Sequence, residues 1–248
     1  MMPVLNVGPL AIQLPGLILL VGIWIGLSRI EAFARRRSMN VDRINSLVFY
    51  ALLAGILGAR LGYVAQNLPV FIQRPLDAFA LSPQMLDAAS GLAAMILTGL
   101  IYGQRKRLNG WQTLDALAPG LAVIWMAFAL MNLSSGNGLG VPARLPWSIY
   151  LFEDWRHPTQ VYDLILAFGI WRVIESNPRD VTLPDGARFL TFAALSAAAR
   201  IGVDAFRAEN VVSGLGGVRI TQVAAWLILL AVVAVMRRRE SSKREVNK

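Results

Sequence analysis

The chain has 248 residues, of which 56% are hydrophobic and 16% charged, with a formal net charge of +9. So few charges exclude an ordinary water-soluble domain and point to a membrane protein. The absence of cysteine and the single histidine, His157, exclude disulfides, thiolate sites and histidine-cluster metal sites, so neither a metal nor a cofactor is expected.

Seven apolar stretches are long enough to cross the hydrocarbon core, which takes roughly 17 to 25 residues of helix. The first covers residues 11–27. No basic residue precedes it and Arg35, Arg36 and Arg37 follow it, so it reads as a retained span, not a cleaved signal peptide. The second, 44–64, carries Arg60 within GILGARLGYV, and a connection over 67–85 with Pro69, Pro75 and Pro83 follows. The third covers 86–102 and the fourth 113–133. The longest connection, 134–157, is rich in glycine, proline and aromatics.

The fifth stretch, 158–174, opens on Pro158, a residue suited to the first helical position, with His157 as the expected cap and Gln160 and Tyr162 close behind. The sixth, 187–203, ends near Arg200, Asp204 and Arg207, whose spacing places all three on one helical face. A glycine-rich connection over 208–219 leads to the seventh, 220–236, opened by Arg219 and followed at once by Gln222.

The expected fold is an all-α integral membrane protein of seven transmembrane helices, forming one membrane domain over 1–236 with a basic cytoplasmic tail over 237–248. Seventeen of the 24 Lys and Arg residues fall on the side that holds Arg35–Arg37, Arg105–Arg107, Arg172, Arg179 and the tail. Positive-inside bias makes that side cytoplasmic, and an odd helix count then puts the N-terminus outside. Flanking placement also explains the net charge without nucleic acid, which is not an expected partner. On the outer side, Arg60, Arg200, Arg207 and Arg219 outnumber Asp204 and Glu209. Ionisable groups at membrane depth face a cavity or each other. The alternatives are therefore internal pairing with snorkelling, or a site for an anionic phospholipid headgroup, to which guanidinium is well matched.

RHPTQVYD, residues 156–163, resembles the RHPSQLYE motif of the prolipoprotein diacylglyceryl transferase family. GARLGYV (58–64), LDALAPGLA (114–122), LPWSI (145–149), ARIGVDAFR (199–207) and ITQVAAW (220–226) resemble other segments of that family, in the same order. The resemblance implies a bacterial plasma-membrane enzyme of lipoprotein maturation. Such an enzyme moves the diacylglyceryl group of phosphatidylglycerol onto the lipobox cysteine thiol of a signal-peptide-bearing prolipoprotein. It implies Arg200, His157 and Asp204 as catalytic positions. Arg60, Arg207, Arg219, Asn132, Gln160, Tyr162 and Gln222 would bind the headgroup, and Gly140 keeps part of the loop after the fourth helix. The sequence departs from the family pattern in three places: Ala129 stands at an expected arginine, Ala89 lies where a histidine motif falls, and Pro15 replaces a tyrosine. The alternatives are a paralogue that binds or modifies anionic phospholipid or lipoprotein without this transfer, and a small transporter, against which the lack of inverted repeats counts.

Overall fold

The computed structural model describes residues 4–7, 10–79, 85–151, 153–175, 183–208 and 219–246. Pro83, Arg179, Glu209, Lys248 and most of the glycine-rich connection, 209–218, lie outside the described residues.

Each of the seven apolar stretches is a helix: α1 Leu14–Arg36, α2 Val41–Gln66, α4 Ala88–Arg105, α5 Gly110–Ser135, α6 Thr159–Glu175, α7 Ala187–Asp204 and α8 Ile220–Val246. Among the described residues, four helices are long and apolar enough to cross a membrane: α1, α2, α5 and the Thr221–Arg239 part of α8. The other three have 18, 17 and 18 residues. At 1.5 Å per residue they cover about 27 Å, slightly less than a hydrocarbon core of about 30 Å.

The connections are more ordered than the sequence suggests. Leu10–Gln13 (β2) pairs antiparallel with Val4–Val7 (β1), so the first helix begins at Leu14 instead of residue 11. The connection over 67–85 contains a short helix α3, Leu68–Gln73, and a 3-10 turn, Pro75–Phe79. Pro69 and Pro75 fall in the first turns, where the missing amide costs nothing. In the longest connection Ile149–Leu151 (β3) pairs with Asp154–Arg156 (β4). The all-α expectation therefore gains two small hairpins. His157 is not the cap of α6: Tyr162 N–H bonds the Pro158 carbonyl at 3.1 Å, placing Pro158 at the cap and His157 one residue outside.

The chain divides into two compact units, Ala34–Thr113 and the remainder, Met1–Phe33 with Leu114–Lys248. Within the first, α2 and α4 approach closely through small residues. A Cβ at Gly58 would overlap Ala94 and one at Gly62 would overlap Ser90, the contact that small residues permit between membrane helices. Within the second, Gly26 lies against Ile124 and Gly120 against Ile30, bringing α1 and α5 together in the same way. Ala118, Ile170 and Ile174 form a core with Phe189, Phe192 and Leu195. Asp115 of α5 accepts from the backbone N–H of Gly186 at 2.6 Å and of Phe189 at 2.8 Å. It thereby satisfies two of the donors that the N-terminus of α7 leaves open. α7 in turn packs between α6 and α8, which fixes its polar face against α6.

Candidate functional site

The polar face of α7 meets an acid from α6. Arg200 Nε lies 3.1 Å from Asp204 Oδ1, and Arg207 Nε 3.6 Å from the same oxygen. Arg207 also pairs with Asp163 Oδ2, and Arg200 Nη1 stands 3.9 Å from that atom. Two guanidinium groups and two carboxylates thus form a charge-balanced square. Asp163, Asp204 and Arg207 are buried, whereas the Arg200 side chain keeps 29% exposure. Buried charges are tolerated only when paired, and breaking such a pair is expensive. Arg200 is the member through which this cluster meets its surroundings.

The chain after α5 is threaded between α7 and the start of α6 by main-chain bonds. Val141 N–H donates to the Phe206 carbonyl, Ala208 N–H to Leu139 and His157 N–H to Val141, at 2.8, 2.8 and 3.1 Å. Thr159 Oγ1 adds a bond to the Gly138 carbonyl at 2.6 Å and Gln160 Nε2 one to Asn137 at 2.8 Å. Gly140 sits where this segment passes His157, and any Cβ there would overlap the His157 carbonyl and side chain. Asn132 contributes its carbonyl to the Asn137 N–H, closing the end of α5 onto the same loop.

That threading sets the single histidine. His157 Nδ1 lies 3.1 Å from the Tyr162 hydroxyl, which accepts from Trp147 Nε1 at 2.9 Å. The His157 ring packs on Phe206 with centroids 4.9 Å apart. Tyr162 and Phe206 also line a cavity of about 500 Å³ between α6 and α7, whose other walls are Leu166, Ile170, Leu195 and Val203 with small residues of α7. An apolar groove therefore runs beside the face that carries Arg200. Arg219 donates to the Arg207 carbonyl at 2.8 Å and Gln222 to the Ile201 carbonyl at 3.3 Å, tying α8 to the end of α7.

Arg60 is engaged differently from the sequence expectation. It lies in the Ala34–Thr113 unit, 6% exposed, donating to the Ala78 carbonyl at 2.8 Å, to Met85 at 3.0 Å and to Asp77. The Tyr63 and Phe71 rings flank its guanidinium at 5.9 and 5.4 Å. Of the residues expected at the departures, Ala129 is buried on α5, Ala89 is exposed at the start of α4 and Pro15 is the second residue of α1.

The profile of prolipoprotein diacylglyceryl transferases matches residues 3–238. The chain belongs to this family. Among its relatives, the phosphatidylglycerol–prolipoprotein diacylglyceryl transferase of Bordetella parapertussis is 33% identical over 191 residues, 71% of each chain. That of Trichormus variabilis is 27% identical over 90% of this chain and 84% of its own. That of Bacillus cytotoxicus is 25% identical over 96% and 92%. Membership makes this a transferase, and with its four long apolar helices it is a multi-pass membrane protein.

Sequence reasoning singled out Arg200, Asp204, Arg207, Arg219 and Gln222 but not Asp163, Trp147 or Phe206; α7 ends at Asp204, so Arg207 joins the cluster from the turn after it and not from the same helical face. Asp163 closes the quoted RHPTQVYD motif. Its partner Arg207 is 44 residues away, so only the packing of α6 on α7 reveals the pair. Gln160 and Asp163, three residues apart on one helix, offered the available signal: polar residues recurring on one face of an apolar span.

Proposed function

We propose that this protein transfers the diacylglyceryl group of phosphatidylglycerol to the cysteine thiol of prolipoproteins in a bacterial plasma membrane. The thiol sulfur bonds to the terminal glyceryl carbon, the carbon–oxygen bond to phosphate breaks, glycerol phosphate leaves, and the thiol proton passes to a base. The observation that carries this reading is the partly exposed Arg200, held by two buried carboxylates beside an apolar groove. A guanidinium so fixed donates to phosphate oxygens and stabilises the charge that grows on the leaving group, without having to reorganise.

In this reading Arg200 touches the phosphate, and Asp204 acts by positioning Arg200 and Arg207, since it is itself fully buried. The α6–α7 groove takes an acyl chain. Arg219, Asn132, Gln160 and Gln222 shape the surrounding wall. His157 is the proton acceptor: when Nδ1–H donates to the Tyr162 oxygen, Nε2 keeps the free lone pair a base needs, and Tyr162 can direct its own proton toward the lipid. Arg60 belongs to the scaffold of its own unit and not to the headgroup site. Helices α1, α2 and α4–α8 all cross the membrane as one domain over 1–236, with the N-terminus outside and the tail 237–248 in the cytoplasm, an orientation that the distribution of basic residues supports.

Complementation tests the reading. The chain is expressed in a bacterium depleted of its own diacylglyceryl transferase, and the gel shift of a major lipoprotein is followed. Rescue is expected, and Arg200→Ala should lower transfer by at least about 10²-fold, the usual cost of removing one fixed donor. Failure to rescue with the protein present in the membrane would sink the proposal.

A further inference from the structure

The connection after α2 carries an apolar surface that nothing among the described residues covers. In α3 and the 3-10 turn, Leu68, Val70, Ile72, Leu76 and Phe79 are between 51% and 82% exposed. Phe71 alone of the bulky apolar residues there is buried, against the Arg60 guanidinium. Five such side chains exposed within twelve residues mark a surface that has a partner.

The neighbouring span indicates which partner. On α2, Phe49, Leu53, Leu57 and Leu61 recur every four residues as one exposed face, away from Gly55, Gly58 and Gly62, which pack on α4. α2 is long and apolar enough to cross a membrane, so that face meets acyl chains. Exposure of the same kind runs on past the end of α2 into Leu68 and the residues after it. Arg74 and Asp77, the charged residues of 68–79, cancel, so the available force is apolar contact and not attraction to anionic headgroups.

The main chain is built for the same surroundings. The Tyr63 carbonyl accepts from the Asn67 N–H at 3.1 Å and from Asn67 Nδ2 at 2.9 Å. The Asn67 carbonyl accepts from the Val70 N–H at 3.0 Å, and the Arg74 carbonyl from the Asp77 N–H at 3.1 Å. The carbonyls of Asp77, Ala78 and Met85 take their donors from Arg60, which reaches them from within the span. A turn in open water can leave its carbonyls to the solvent. One seated among acyl chains has to bring its donors along, and a buried guanidinium supplies three at once.

We propose that residues 68–79 form an interfacial arm, which rests in the bilayer boundary at the C-terminal end of α2. Leu68, Val70, Ile72, Leu76 and Phe79 meet acyl chains, and Arg60 holds the arm down by satisfying its backbone from inside the span. The partner is the lipid surface itself, and the arm does so whether or not the transfer reaction proceeds.

The chain has no cysteine, so Leu76→Cys and Phe79→Cys each give one site for a nitroxide label. Full-length labelled protein in phosphatidylcholine vesicles is probed with oxygen, which concentrates among acyl chains, and with a neutral nickel chelate, which stays in water. Leu57→Cys on the lipid face of α2 and Ser241→Cys, exposed at the basic end of α8, are the references. The oxygen-to-nickel ratio at Leu76 and Phe79 should lie near that of Leu57 and severalfold above that of Ser241. Adding Arg60→Ala should move both labels toward the Ser241 value, as the freed carbonyls seek water. If that variant does not fold, the labels beside an intact Arg60 still decide where the arm lies.

Free access of nickel to both labels would overturn the inference, since the arm would then stand in water. Poor access of both reagents would overturn it too, because protein, such as a second copy, would cover the surface. Nickel access that is lost on adding a lipoprotein signal peptide would assign the surface to that peptide and not to lipid. Labels that keep their depth in Arg60→Ala would overturn the anchoring by Arg60.

Discussion

Replacing Arg60 by alanine separates two roles that one arginine at membrane depth could have. Its guanidinium makes three hydrogen bonds to carbonyls of the Asp77–Met85 segment and lies between two aromatic rings. Hydrogen bonds from a charged donor are worth about 1.5–3 kcal/mol each, so three give about 4–9 kcal/mol if every carbonyl stays unsatisfied. They would not all stay so. The 3-10 turn is largely exposed, with Leu76 and Phe79 above 80%, and its carbonyls can bond water or lipid headgroups once freed. We therefore expect a loss of about 2–4 kcal/mol, confined to the C-terminal end of α2 and the turn that follows. Hydrogen exchange in detergent micelles reads this directly: amides of residues 74–79 should lose protection, and those of α6 and α7 should not. Phosphatidylglycerol affinity should fall far less than in Arg200→Ala. If protection over 74–79 is unchanged while lipid affinity drops as far as in Arg200→Ala, the scaffold assignment is wrong and Arg60 is a headgroup ligand.

Further outcomes follow from other contacts. Gly140→Ala forces a methyl group into the His157 carbonyl, and we expect a loss of about 1–3 kcal/mol with transfer activity falling more than stability, checked by melting temperature against gel shift. Asp115→Ala removes the acceptor for two N-terminal amides of α7 and should cost about 1–3 kcal/mol in a detergent unfolding titration, with hydrogen exchange rising first at Gly186 and Phe189. Asp87 caps α4, and its bonds to Ser90 hold its carboxyl below the ordinary carboxylate value. Its contribution is present above the ordinary pKa and fades as pH falls through the depressed one, so Asp87→Asn should flatten the acid limb of the stability curve. A reporter fused after Lys248 should read cytoplasmic, and a periplasmic signal would break the proposed orientation.

The helices were legible because an apolar run of 17 or more residues has few alternatives to a helix in lipid. Every one of the seven lies where the hydropathy pattern puts it, with most ends displaced by a few residues; α1 runs on to Arg36 and α8 to Val246, nine and ten residues past the expected ends and into the basic tail. What lay in the connections was less legible. Val4–Val7 and Leu10–Gln13 pair with each other, and nothing in 11–13 distinguishes the start of an apolar helix from the end of an apolar strand. At the site, the i, i+4, i+7 spacing of Arg200, Asp204 and Arg207 was visible within one segment, and the structure places them together. The fourth member was not, because Asp163 joins them only through the packing of α6. The partners of Arg60 were not legible for a related reason. Depth in a span shows that a charge needs partners but does not say whose, and its partners are carbonyls that a proline-rich connection folds back over it.

The segment over 139–143 has a consequence for how far such a chain can drift. It is joined to the end of α7 and to the residues before α6 by main-chain donors and acceptors, which every amino acid except proline supplies alike. Side chains along it are then free to vary provided position 140 stays bare. That tolerance lets the segment from Asn132 to Val141 exchange several polar residues for others while His157 and Arg207 keep their places. Two copies of the family could therefore differ widely in composition at this crossing and still present the same two groups to whatever enters the groove.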